Sequence, residues 1–151
     1  MNCEVCNLLN NDQSLVFQTD YWKVFVMKEQ SYLGRCVVSC KRHCPSLTEL
    51  TTDEWSDFKG VATRLEEAAM RAFGADLVNW VCLMNNAFRK KPFNPHVHWH
   101  FRPRYKRPVQ FSGKTFTDPD FGEHYEHLRV ERVDDETIQK VVNALKDNLE
   151  E

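Results

Sequence analysis

Apolar positions recur along this chain with two periods, and the switch between them marks out its elements. Residues 15–17 and 21–27 are rich in aromatic and β-branched side chains and flank Thr19-Asp20, the pattern of a β-hairpin. Gly34 precedes a third strand over residues 35–39. The polar stretch Lys41-Arg42-His43-Cys44-Pro45 then turns, and Pro45 stops it from continuing as a helix or a central strand. Thr51 and Glu54 have capping-box spacing and open the clearest helix. Trp55, Phe58, Ala62, Leu65, Ala69 and Ala72 recur at helical spacing, and Gly74 is a natural stop, so this helix faces the core and holds no site. Residues 77–84 read as a buried strand ending at Asn85-Asn86. The basic loop Arg89-Lys90-Lys91-Pro92 leads into His96-Val97-His98-Trp99-His100-Phe101, where the period is two. Residues 111–125 contain Gly113, Pro119 and Gly122 and read as an irregular excursion, with His124 at the surface like His127 after it. Asp134-Asp135-Glu136 starts a last helix with the apolar stripe Ile138, Val141, Val142, Leu145 and Leu149. No repeat, linker or low-complexity segment interrupts this order, and one domain over 1–151 is expected.

Composition changes that picture little. Hydrophobic residues at 42% and charged residues at 28% are ordinary for a globular protein, and a formal net charge of -2 provides no global field for nucleic acid or membrane. No apolar run approaches the roughly 20 residues of a membrane span. Met1-Asn2-Cys3-Glu4 does not read as an export signal. A cytoplasmic location is therefore expected, with Cys3, Cys6, Cys36, Cys40, Cys44 and Cys82 reduced or metal-bound rather than in disulfides.

The histidine strand changes it a great deal. A strand here sets His96, His98 and His100 in one row, while Val97, Trp99 and Phe101 anchor the other face. Cys3-Glu4-Val5-Cys6 brings two thiols within reach of one tetrahedral ion, and His43 lies in the loop after the third strand. Alternate residues on a strand are roughly 6–7 Å apart, so the three row members do not share one ion. The economical zinc set is Cys3, Cys6, His43 and His96, with Cys40 and Cys44 open as substitutes because they flank His43. Four protein ligands make such a zinc structural. His98 is then free for chemistry: a neutral imidazole attacks phosphorus when its other nitrogen is hydrogen-bonded, and a carbonyl on the same strand can be the acceptor. Between Arg89 and Arg107 there is no acidic residue, while Arg89, Lys90, Lys91, Arg102, Arg104, Lys106 and Arg107 are positive. An anionic ligand such as phosphate suits that run; nucleic acid suits it less, because few aromatics interleave.

His96 to Arg102 resembles the H-φ-H-φ-H-φ-φ signature of the histidine triad (HIT) superfamily. Val37-Val38-Ser39-Cys40-Lys41-Arg42-His43 is similar to that family's strand ending L-V-I-P-K-x-H, Asn85 stands where it has the asparagine of N-x-G, and Pro103-Arg104-Tyr105 resembles its P-R-Y. The resemblance implies an α+β fold, an antiparallel sheet with one long central helix, to which the last apolar stripe adds a C-terminal helix. Its members are often dimeric, so a homodimer is an expectation. It implies a nucleotide or phosphate-ester substrate, dinucleoside polyphosphate or nucleoside phosphoramidate, attacked at the α-phosphorus by His98 to give a nucleotidyl-histidine that water or another acceptor resolves. His100 then contacts the phosphate or leaving group, Asn85 helps to build the phosphate site, and zinc-bearing members place the metal on the positions of Cys3, Cys6, His43 and His96.

The chain also departs from the family pattern. Ala87 stands in the glycine place of N-x-G, Pro92 where a glutamine is expected, Phe93 where many members have serine or threonine, Met27 near the ribose aspartate, and Cys40 in place of the proline. Lys90 and Lys91 are candidates to restore charge to the phosphate cradle. The resulting alternative is a catalytically weak, zinc-stabilised nucleotide-binding or adaptor protein.

Overall fold

The computed structural model describes residues 3–150, and the ends of the expected 1–151 domain, Met1, Asn2 and Glu151, lie outside the described residues. Five strands form an antiparallel sheet in the order β1-β2-β3-β5-β4: β1 is Leu15–Gln18, β2 Trp22–Val26, β3 Cys36–Cys40, β4 Leu77–Val81 and β5 His98–Arg104. The hairpin β1-β2 turns at Thr19-Asp20 as expected, and Thr19 Oγ1 donates to Asp57 Oδ2 at 2.6 Å, tying the turn to the long helix.

That helix, α2, spans Thr52–Phe73; α1 (Glu4–Leu9) precedes it and α3 (Asp135–Asp147) closes the order. The Thr51/Glu54 capping box is formed, and Gly74 ends α2 at φ 70, a left-handed cap that other residues adopt only with strain. Leu65 and Ala69 sit at the centre of its buried face, as expected, but the face is turned. Val61, Ala68 and Phe73 are buried while Trp55 is 39% exposed, because Trp55 and Phe58 lean onto Trp99 at the margin of the sheet. On α3, Ile138, Val141, Val142 and Leu145 are buried as the stripe predicts. Both helices pack on one face of the sheet, over Val24, Val26, Val38 and Phe101. Among the described residues no helix is long and apolar enough to cross a membrane.

Four elements differ from the expectation. The C-x-x-C opens a short helix, α1, in which the Cys3 thiol accepts from the Cys6 backbone N–H at 3.4 Å. The strand expected to be buried over 77–84 stops at Val81; it is the last strand of the sheet, so one edge is open and Leu77 is 41% exposed. Residues 85–88 turn instead through a 3-10 helix, Asn85–Phe88. The excursion expected to be irregular begins with a hairpin, β6 (Val109–Phe111) and β7 (Lys114–Phe116), turning through Ser112 and Gly113, both at positive φ.

Candidate active site and metal centre

β5 is held on both sides, by β3 and by β4, so its side chains are fixed in position. The row expected from alternation extends one pair before the strand: Cys40 N donates to the Val97 carbonyl at 3.2 Å and Val97 N to the Cys44 carbonyl at 2.7 Å. His96, at the start of the row, reaches the thiols of Cys3 and Cys6. Its Nδ1 lies 3.4 Å from the thiols of both Cys3 and Cys6, and His43 Nδ1 lies 3.5 Å from Cys6. The four ligand atoms all lie within 4.8 Å of one another. A tetrahedron with metal–sulfur bonds of ~2.3 Å and metal–nitrogen bonds of ~2.0–2.1 Å has S···N edges of about 3.5 Å, so the donor atoms stand at the corners of a site for one such ion.

The surroundings agree with that reading. His96 Nε2 donates to the Cys40 carbonyl at 2.7 Å, which leaves Nδ1 as the ligating lone pair, and burial holds the imidazole below its ordinary pKa and so neutral. Burial and the adjacent Cys3 thiol push the Cys6 thiol up, so an ion bound at Cys6 would displace its proton. The two substitute ligands point elsewhere. The Cys40 thiol, pushed up to about 12 mainly by burial, faces Glu54, and the Cys44 thiol donates to the Ser46 carbonyl.

His98 Nδ1 lies 2.8 Å from the His96 carbonyl. A carbonyl only accepts, so Nδ1 carries a proton, and in the neutral imidazole Nε2 then has the lone pair. The His98 and His100 rings meet edge to face at 5.1 Å. Burial, then the charges of His98, Arg102 and Arg35, pull His100 down to about 3, which keeps it neutral near pH 7. Both rings line a cleft of about 940 Å³. Asn85, Lys90 and Lys91 line it too, together with Phe93, Cys3 and Glu4. A second depression, of about 410 Å³, lies over Lys41, Arg42 and Glu54 and has no histidine in its lining.

The basic run does not act as one patch. Arg89, Lys90 and Lys91 reach the cleft, whereas Arg102 and Arg104 continue the face of β5 beyond His100 and are buried beneath residues 118–125. Arg104 is saturated. Nε and Nη2 hold the two oxygens of Asp118 at 2.6 and 3.1 Å, Nη1 donates to Asn79 Oδ1 and the Glu123 carbonyl, and Nη2 donates again to the Asp120 carbonyl.

Arg102 is 6% exposed and has no carboxylate partner among the described residues, and its Nη1 is buried without a hydrogen bond. Its guanidinium lies 4.1 Å from the centroid of the Tyr125 ring. Such a stack contributes about 2 kcal/mol when desolvated, against several kcal/mol to take the ion out of water; the stack alone does not offset the burial. Sequence reasoning placed Arg102 in the basic run that suits an anion but did not single it out. Its signal was its place in the H-φ-H-φ-H-φ-φ resemblance, where the last position is apolar.

The HIT domain family model matches residues 9–107. No curated protein matches the chain. Among solved structures the chain is similar to a hypothetical histidine triad nucleotide-binding protein from Sulfolobus tokodaii, at 16% identity over 97% of this chain and 91% of that one, TM-score 0.70. It is similar to a Zn-bound histidine triad family protein from Mycobacterium smegmatis, at 20% identity over 97% and 95%, TM-score 0.60. It is also similar to the Plasmodium falciparum diadenosine triphosphate hydrolase solved with cyclomarin A, at 14% identity over 91% and 76%, TM-score 0.63. At these identities the likeness is one of fold, and the α+β arrangement expected above is the one observed.

Proposed function

The chain belongs to the HIT domain family, and on that premise we propose that it is a single-domain nucleotide hydrolase or nucleotidyl transferase acting at a nucleotide α-phosphate through His98. The observation that carries this reading is the hydrogen bond from His98 Nδ1 to the His96 carbonyl, which selects the tautomer with its lone pair on Nε2 in a neutral imidazole lining the cleft. Nε2 attacks the α-phosphorus; an N–P bond forms as the bond to the leaving group breaks, and that group departs with the electron pair and takes a proton. Water, or an acceptor hydroxyl in a transfer, then forms a new P–O bond, gives up its proton, and returns the N–P pair to Nε2. Neutral His100 donates to a phosphate or leaving-group oxygen, and Asn85, Lys90 and Lys91 offset charge on the phosphate. Dinucleoside polyphosphates and nucleoside phosphoramidates are the substrate classes that fit.

Zinc is the proposed ion on Cys3, Cys6, His43 and His96, supported by the donor set and its edges. When bound it supplies a fixed corner, and with four protein ligands it leaves no position for substrate. The adaptor reading keeps one observation in its favour: Pro92 and Phe93 line the cleft and offer no side-chain hydrogen bond to a phosphate.

Rapid-quench mass spectrometry separates the two. Wild type mixed with diadenosine polyphosphate or adenosine phosphoramidate should show a nucleotidyl adduct and monophosphate release. His98→Ala should lose both by roughly a thousandfold or more and keep its metal. Binding without turnover in the folded, metal-loaded wild type would favour the adaptor.

A further inference from the structure

Unpartnered donors gather on one face of β3 and β5. His98 pairs in register with Ser39 and His100 with Val37; the Cys36–Phe101 pair follows, and beyond it stand Arg35 and Arg102. Arg102 Nη1, Arg35 Nε, His100 Nδ1 and Ser39 Oγ are all buried with no hydrogen bond. Arg35 has an ionic partner, Glu29, on its Nη1; Arg102 has no ionic partner among the described residues, and its guanidinium lies over the Tyr125 ring. Buried polar groups in folded proteins are ordinarily satisfied. A guanidinium with an unpartnered, buried Nη1 and no carboxylate among the described residues suits a tetrahedral oxyanion, which arginine takes through N–H bonds. Arg102 is two residues past His100 on the same face, about 6–7 Å along the strand, and an arginine side chain spans such a distance. Its charge is also felt at His100, whose imidazolium it disfavours along with Arg35.

We propose that Arg102, stacked on Tyr125 and flanked by Arg35, is a second oxyanion subsite one strand step beyond His100, which takes a phosphoryl group other than the one transferred. The assignment rests on the reading that His98 and His100 receive the transferred group. Two sources share this chemistry: a second phosphoryl group of the same substrate, or a separate phosphate ion.

The test is calorimetric titration of the metal-loaded full chain with inorganic pyrophosphate and with orthophosphate, in wild type, Arg102→Leu and Arg102→Lys. Wild type should bind pyrophosphate, and Arg102→Leu should weaken it by about 30-fold or more. Arg102→Lys keeps charge without the fork and should fall between them; it carries the test if the leucine variant does not fold. A larger loss for pyrophosphate than for orthophosphate assigns the subsite to a linked phosphoryl group. Equal losses assign it to a separate ion. Unchanged affinities in a folded variant overturn the proposal and leave Arg102 as a tether for the segment carrying Tyr125. Failure of the catalytic reading is distinguishable: pyrophosphate binding through Arg102 without a His98 adduct removes the chemistry and keeps the subsite, and an adduct with unaltered pyrophosphate binding does the reverse.

Discussion

Arg102 and Arg104 stand two residues apart on the same face of the same strand, yet they belong to different regions of the molecule. At Arg104 the chain has closed over the strand: Asp118 takes the guanidinium in a two-point grip and three further acceptors complete it, with both partners 1% exposed. At Arg102 the chain has closed over the strand and, among the described residues, supplies no anion. Satisfied ionic groups hold a fold together, whereas a buried ion left short of partners marks a place where the fold awaits something else.

Breaking the metal end should have the largest effect on stability. Purified protein should hold about one zinc per chain, and Cys3→Ser or Cys6→Ser should release it with a marked fall in the urea midpoint. Full stability of metal-free wild type would remove the metal from the fold. Next is the contrast between the arginines. Asp118→Ala leaves the Arg104 guanidinium buried and unpaired and should cost about 3–5 kcal/mol in urea unfolding. Arg102→Leu replaces an unpaired ion by an apolar group and should fall within about 1 kcal/mol of wild type, or above it. Similar losses at the two positions would erase the distinction.

The smallest effect belongs to Arg42–Glu54, where Arg42 is 48% exposed. Hydrogen bonds from Arg42, then from the Thr51 backbone, hold the Glu54 carboxyl at about 2, against 4.5 ordinarily, despite its burial. A lowered carboxyl pKa stabilises the fold above 4.5, and the contribution disappears as pH falls from there through about 2. Solvent screening of Arg42 limits it to under about 1 kcal/mol. Glu54→Gln should flatten acid unfolding across that window, and an unchanged acid profile would assign the loss to other carboxyls.

Much of this was legible in the sequence because its signals are local. The capping box of α2, the stripe of α3 and the alternation from His96 to Phe101 each declare themselves within a few residues. The nearness of Cys3, Cys6, His43 and His96 was legible because ligand chemistry restricts the candidates to few residue types. The helix at Cys3 was not legible: six residues carry little periodicity, and its cap is a thiol. Nor was the site at Arg102, which depends on Tyr125 arriving from 23 positions later by way of a segment with no period to read. The same basic run therefore looked uniform, although Lys90 lines the cleft and Arg104 is sealed.

His96 joins the two chemistries of this molecule, ring to the thiols and carbonyl to His98. Cys3 and Cys6 precede it by 93 and 90 residues. A ribosome adding roughly 5–20 residues per second needs roughly 5–20 seconds to cover that gap. For that interval the nascent chain carries its thiols without their last imidazole partner. When His96 emerges, the final corner of the proposed zinc site and the acceptor that orients the proposed nucleophile arrive in one residue. Loading of the ion and arming of His98 thus become one event in the history of each chain.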